Sequence, residues 1–352
     1  MTARARQVAT LRPRYQRDLA DGVERFLGPK LSTCPWCASP RLRRRLRTTD
    51  RIQGKPGTFT LDECTQCGHV FQNPQLTPEG LEFYYRDLYD GLGEKTAQRL
   101  FTSPAHTRLY RSRAKAMRAL CTPERWLDVG LGHGHFCATA RQLLPTTVFE
   151  GLDRSEGVDI AKDRGRITHG YRGSFTDLAS RLTGRYDVVS MHHYLEHTID
   201  PRQELIAART VLRPGGHLLI EVPDPECRAG HRLGQWWSQW VQPQHLHLMP
   251  LRTLREGVTA AGFTVVTADR HAAHLPADLS CAALHLLNAA LPAPDTPWAP
   301  RRPRTTARWT RAFLFAAASP ALVILYALDL AVAPLARRTG WSNAYRLIAR
   351  RD

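Results

Sequence analysis

Lysine is scarce in this chain of 352 residues: five of its forty-nine basic residues, the other forty-four being arginine. Those arginines are scattered among abundant Ala, Leu and Pro. The formal net charge of +17 therefore reads as a compositional habit as readily as a footprint for nucleic acid or an anionic membrane. An apolar core is missing from the first seventeen residues, which carry five arginines instead, and this speaks against a secretory signal and for a cytoplasmic protein. Internal repeats are absent as well. An apolar share of 43% with 23% charged residues excludes a disordered, collagen-like or wholly membrane-embedded chain. What remains is room for two domains, or for one α/β domain of ~250 residues with appendages.

Eight cysteines without an export signal point to ligands or core residues rather than a disulfide framework. Cys121, Cys137, Cys227 and Cys281 lie far apart and read as small buried apolar residues. The other four make two knuckles, Cys34-Pro-Trp-Cys37 and Cys64-Thr-Gln-Cys67, with twenty-six residues between them. Two such pairs complete a tetrahedron of thiolates that suits Zn²⁺ at ~2.3 Å and leaves no position for water, so the site is structural. A segment this short buries too little apolar surface to fold alone, and metal binding supplies the difference. The alternatives are a redox pair or an iron site, but a redox pair normally sits beside a βαβ pattern and one knuckle would suffice. The arginine run from Arg41 to Arg47 is either a solvated hairpin edge or a phosphate contact.

From Arg125 onward, short β-rich runs (WLDVG, VFEGLD, YDVVSMHH, HLLIEVP, FTVVTAD, YRLIARR) alternate with helix-length segments, the pattern of βαβ units in a parallel sheet. Within it, Trp126-Leu-Asp-Val-Gly-Leu-Gly-His-Gly-His-Phe136 ends a strand in a loop with Gly130, Gly132 and Gly134 and opens a helix near His135. The dinucleotide fingerprint needs a third glycine at position 135, where this chain has His. The loop is instead D-x-G-x-G-x-G. Asp128 would repel a pyrophosphate but suits a ligand bearing an ammonium group, and Asp153, closing the next strand, is placed to accept both hydroxyls of a ribose.

This combination resembles class I S-adenosylmethionine-dependent methyltransferases. The likeness continues in Tyr186–His197 with its Leu-Glu-His segment, in Leu212–Glu221, in Ala261-Gly-Phe263 and in the closing YRLIARR, covering about residues 78–275 and 340–352. A CxxC…CxxCG module ahead of such a domain is similar to one branch of the family, bacterial enzymes with an N-terminal zinc ribbon. The resemblance implies a Rossmann-like, doubly wound, mostly parallel seven-stranded α/β sheet whose last strand is antiparallel. It also implies S-adenosylmethionine held by Gly130, Gly132 and Gly134, with Asp128 near its amino-acid end, Asp153 on its ribose, Ser174 and Phe175 beside the adenine and His192 on the methionyl side. Methyl transfer would draw most of its rate from alignment and desolvation, with a base where the acceptor must lose a proton.

Imidazoles suited to that role crowd the expected carboxyl edge of the sheet: His192, His193 and His197, then His245 and His247. Against catalysis stands the use of any one of them as a cap or a partner for a backbone carbonyl. His193, Glu196 and His197 also stand where some quinone-pathway O-methyltransferases carry a Glu/Glu/His metal set, and with His193 in place of the first Glu a divalent ion there stays open. The expected catalytic candidates are His193, His245 and His247. Trp236, Trp237 and Trp240 either wall an apolar acceptor pocket or belong to a helix packed on the core.

Residues 312–336 carry one charge, Asp329, between Arg308/Arg311 and Arg337/Arg338. Length alone qualifies the stretch as a membrane span. If the final strand must return to the sheet, a single span fails, and Pro320 and Pro334 break the run. A buried insertion or a helix pair dipping into one leaflet remains.

The expected organisation is a basic helical lead-in (1–30), a zinc ribbon (31–75), a helical linker (76–120), a methyltransferase core (121–275), a Pro/Arg-rich loop with an apolar helical insertion (276–339) and the last core strand (340–352). The expected acceptor is a small-molecule or lipid-linked compound, methylated at oxygen. The alternatives are tRNA or rRNA as acceptor, or a non-catalytic zinc-ribbon interaction protein.

Overall fold

The computed structural model describes residues 3–87 and 101–352. Part of the expected linker, from 88 to 100, lies outside them. The strands in chain order are β1 (Leu42–Thr48), β2 (Phe59–Cys64), β3 (Val70–Gln72), β4 (Arg125–Val129), β5 (Val148–Asp153), β6 (His169–Arg172), β7 (Tyr186–His192), β8 (Leu212–Pro223), β9 (His247–Leu248), β10 (Phe263–Asp269) and β11 (Ala344–Arg351).

Seven of them form one sheet in the order β10-β11-β8-β7-β4-β5-β6. Strands β4, β5, β6, β7 and β8 run parallel, and β11 lies antiparallel between β8 and β10. This is the expected Rossmann-like, doubly wound arrangement. Helices cover both faces, so β4 and β7 are buried over nearly their whole length and read as apolar runs. The exceptions, Asp128 on β4 with Asp187 and Ser190 on β7, and likewise the buried Glu221 on β8, must be satisfied by partners. Strand β6, of sequence HGYR, has no apolar run and escapes a reading by pattern. The flanking helices begin on caps the sequence supplies: Thr77 accepts from the Gly80 amide, and Asp200 from the amides of Arg202 and Gln203, each ahead of a proline.

The second sheet has the order β1-β2-β3-β9. Its first three strands belong to the cysteine module, but the fourth comes from the far side of the core. Trp36 and Phe71 pack in one cluster with Leu254 and Val258, and a methyl at Gly257 would collide with the Trp36 ring. The module is thus fused to the core. Strand β1 is the outer edge, where Arg43 and Arg45 pair with Glu63 at 3.1 and 3.4 Å. That is the geometry of a solvated edge.

The C-terminal region differs from the sequence expectation in two places. The Ala/Leu-rich part of the supposed loop is a helix, Asp278–Ala290, and only the residues after it are irregular. The apolar stretch is one helix, Thr305–Ala336, continuous through Pro320 and Pro334, where a break was expected. Pro320 deprives the Ala316 carbonyl of its helical donor, and the Ser319 hydroxyl donates to that carbonyl at 2.7 Å instead. Cys137 and Cys227 are buried as expected, whereas Cys121 and Cys281 are half-buried.

Candidate active site

Strand β4 ends in the glycine loop. Gly130, Gly132 and Gly134 adopt φ of +72°, +53° and +71°, a conformation that costs little only without a Cβ. A methyl at Gly130 would lie 2.6 Å from the Tyr194 ring, while around Gly132 the space is open. The loop is pinned from the next strand: Asp153 accepts from the Gly132 amide and the Ser155 amide, both at 2.9 Å. Its carboxylate stays partly exposed, with lone pairs left for a diol. Ser174 heads a short helix and shares a hydrogen bond with Thr176 at 2.9 Å, whereas the Phe175 side chain is packed in the core.

Beneath the loop, Asp128 accepts from the Ser190 hydroxyl at 2.6 Å, which in turn accepts from Trp126 Nε1 at 2.8 Å. Burial pushes the Asp128 carboxyl up to about 7. His192 lies edge-on to Phe136, 3.9 Å from both Asp128 and Glu221, and neither of its ring nitrogens has a hydrogen-bond partner. Burial, aided by the charges of Arg113 and Arg346, keeps that ring neutral. Glu221 is itself clamped between Arg113 at 2.5 Å and Arg346 at 2.6 Å. A neutral imidazole without hydrogen-bond partners beside the raised carboxyl of Asp128, under an open glycine loop, fits the cationic amino-acid end of S-adenosylmethionine.

His193 follows in a left-handed conformation, φ +51°, rare for a residue with a side chain. Its amide donates to the Glu221 carbonyl at 2.8 Å, and Nδ1 stands 3.1 Å from Glu196 Oε1. About a third of its side chain is exposed, while Glu196 is buried. Burial opposes a charge on Glu196, but the hydrogen bond with His193 and the nearby rings of His245 and His197 outweigh it and hold the carboxyl below its ordinary range. His197 engages the Tyr85 hydroxyl at 2.7 Å and the Gln244 carbonyl at 3.0 Å through Nδ1; His245 engages the Gln239 carbonyl at 2.7 Å. Donor atoms of Glu196, His197 and His245 lie within 4.8 Å of one another. The carboxylate and imidazoles suited to a divalent cation are therefore this trio, with His245 in the place expected for His193.

His247 is elsewhere. Its Nδ1 meets His69 Nε2 at 3.1 Å and its Nε2 the Ile199 carbonyl at 3.1 Å, in the seam between the two sheets. Of the three expected catalytic imidazoles, the fold brings His193 and His245 to Glu196 and places His247 among the ribbon residues. Trp237 and Trp240 are buried against each other and packed in one cluster with Leu61 and Val70, and both also line a small cavity beside Arg51 and His285. Tyr85, Arg113, Glu221 and Arg346 escaped the sequence reading. An acid in LLIEVP and an arginine in YRLIA were the available signal, since a buried strand keeps a charge only when paired; the two residues face each other in the β8–β11 register.

The four module cysteines are all unpaired thiols whose sulfurs lie within 4.8 Å of one another, Cys34 to Cys67 at 3.8 Å and Cys37 to Cys64 at 3.5 Å. Ligands ~2.3 Å from one ion in a tetrahedron stand roughly 3.8 Å apart. The set fits zinc.

Residues 101–268 match the family model described as a methyltransferase domain. Among curated proteins, the chain is 33% identical over 107 residues to an uncharacterized 37.1 kDa protein of a Streptomyces fradiae transposon, covering 29% of this chain and 30% of that one. It is 28% identical over 130 residues to a ubiquinone biosynthesis O-methyltransferase of Cereibacter sphaeroides, covering 35% of this chain and 51% of the relative. The chain thus spans about half or less of the curated relatives it matches. A solved structure of a SAM-dependent methyltransferase from Thermotoga maritima is 16% identical with a TM-score of 0.45, covering 75% of this chain and 98% of that one. With its glycine loop, its five parallel strands and the family-model match, the segment from residue 101 to residue 268 is a methyltransferase domain.

Proposed function

We propose that the protein transfers a methyl group from S-adenosylmethionine to a hydroxyl of a small-molecule or lipid-linked acceptor. The observation that carries this is the His193–Glu196 pair, a partly exposed imidazole on a buried carboxylate, just beyond the strand that holds the cofactor loop's neighbours. The sulfonium supplies an electrophilic methyl carbon. Gly130, Gly132 and Gly134 offer the close backbone approach, Asp153 the ribose acceptor, and Asp128 with His192 the polar seat of the amino-acid end. His193, turned outward by its left-handed backbone, takes the acceptor's proton on Nε2 while Glu196 fixes the ring through Nδ1 and stabilises the imidazolium. With the proton taken by His193, the acceptor oxygen would form the new O–C bond while the C–S bond of the bound cofactor would break with its electron pair going to sulfur.

A second reading has a specific observation behind it: Glu196, His197 and His245 would hold a divalent cation that lowers the acceptor's pKa in place of an imidazole base. Nothing comparable favours RNA, since two arginines of the basic run are engaged by Glu63. The test is His193→Ala, assayed beside calorimetric binding of the demethylated cofactor. We expect turnover to fall about 10²-fold or more, with cofactor affinity unchanged. Wild-type turnover in this variant, with activity abolished by chelator and restored by Mg²⁺, would replace the base with the cation. Failure of the wild-type chain to bind the cofactor would overturn the whole reading.

A further inference from the structure

The helix Thr305–Ala336 presents apolar side chains almost all round. Trp309 and Phe313 are 72% exposed, and Val323 and Ile324 67%. A stripe at helical spacing faces the protein: Arg311, which donates to Asn288 and to the Pro292 carbonyl, then Ala318, Leu322, Leu325, Asp329 and Ala333 are half-buried or buried, and helix Asp278–Ala290 packs against this helix. The single acid of the helix is spent inside that contact, where Asp329 caps the shorter helix by accepting from the amides of Leu279 and Ser280 at 3.0 and 2.9 Å. The free surface therefore carries no acid, and arginines exposed at both ends, among them Arg304, Arg308 and Arg338, frame it. A contiguous apolar face of this size is covered by something in a working protein.

Both ends of the helix are tied to the same body. Before it, Asp295 pairs with Arg12 at 2.7 Å and Trp298 donates to the Gly54 carbonyl at 2.9 Å. After it, the Gly340 carbonyl accepts from the Arg228 amide at 3.0 Å and β11 enters the sheet. Thirty-two residues make a rod about 48 Å long, and a rod held at both ends by one domain lies along a bilayer and does not cross it. We propose that this helix is an in-plane membrane anchor, its apolar face set into one leaflet of an anionic bilayer with the terminal arginines at the headgroups. Its foothold leads toward the proposed acceptor side. Asp278, at the start of the supporting helix, accepts from Trp237 Nε1 at 3.0 Å; Trp237 packs on Trp240, and Gln242 donates to the carbonyls of both Trp240 and His245. Docking does not depend on methyl transfer; the suggestion that it brings the protein to a lipid-linked acceptor rests on the function proposed above.

The experiment is flotation of the full chain with vesicles of phosphatidylcholine alone or with phosphatidylglycerol, at low and high salt. The double variant Phe313→Glu/Val323→Glu is run in parallel; both positions are solvent-facing, so folding is preserved and is checked by circular dichroism and cofactor calorimetry. We expect the wild type to float with anionic vesicles, less with neutral ones and less at high salt, and the variant to lose about tenfold or more in partition with cofactor binding intact. Wild type that stays with the unbound fraction overturns the proposal, as does equal flotation of both proteins. A lipid-free dimer of the wild type that the variant converts to monomer would assign the face to a second copy instead. Loss of cofactor binding without loss of flotation would strike only the function.

Discussion

The imidazole of His247 lies stacked on that of His69, ring centroids 5.1 Å apart and Nδ1 to Nε2 at 3.1 Å, while His69 Nδ1 reaches Cys34 at 3.6 Å. One short relay thus runs from the cysteine cluster into the segment that also carries His245. The amide of Leu246, between the two histidines, donates to the Glu196 carbonyl at 2.8 Å, and its own carbonyl accepts from Gln72 of β3. The cysteine module is the scaffold of one wall of the proposed active site.

Metal removal is therefore expected to reach the proposed catalytic cluster. Zinc in isolated fingers contributes on the order of 10 kcal/mol of folding free energy, enough that its loss unfolds the module and does not merely loosen it. Cys67→Ser is expected to lose one equivalent of zinc by elemental analysis, to melt earlier, and to lose turnover. Full zinc content in this variant, or wild-type melting in a protein stripped of zinc, would contradict the assignment.

Asp128 should make cofactor affinity depend on pH. Its carboxyl, raised by burial to about 7, is partly protonated in the free protein near neutrality. A ligand with an ammonium group favours the ionised form, so binding below that pH must expel a proton. We expect the dissociation constant to weaken toward tenfold per unit as pH falls from about 7 and to level off above it, below the range where the ligand's own amine titrates. Asp128→Asn should bind more weakly with no such slope; a slope that survives places the titration elsewhere.

The clamp on Glu221 makes the opposite contribution to stability. Burial alone would raise this carboxyl, but Arg113 and then Arg346 hold it below its ordinary range. A depressed carboxyl stabilises the fold above its unfolded pKa, and that contribution disappears as pH falls through the folded value. Arg346→Met leaves a buried charge half-paired and is expected to cost about 3–5 kcal/mol in urea unfolding at neutral pH. The adjacent His192 seat should loosen with it. A variant as stable as wild type would show that Arg113 alone compensates Glu221.

Gly130 tests the loop directly. Its φ is +72°, and a methyl there would stand 2.6 Å from the Tyr194 ring, so Gly130→Ala combines a left-handed penalty of roughly 1–2 kcal/mol with a collision. Cofactor binding should fall more steeply than stability. Gly132→Ala carries the same left-handed penalty of roughly 1–2 kcal/mol but no collision, since the space there is open, so it is expected to cost less stability than Gly130→Ala while obstructing the ligand; normal binding in that variant would place the cofactor away from the loop.

Local features were legible from the linear chain: the glycine loop, the two knuckles, the strands with continuous apolar runs, and the acids at the ends of β4 and β5. Each is set by backbone conformation or by spacing over a few residues. Packing in three dimensions was needed to settle which histidines meet Glu196, that Tyr85 reaches His197, that β9 completes the ribbon sheet, and that the long helix runs unbroken with its face bare. Most of those outcomes depend on side chains brought together from more than a hundred residues apart, as Tyr85 and His197 are, or His69 and His247. The residue types limit the chemistry available to such groups; the folded arrangement selects their neighbours.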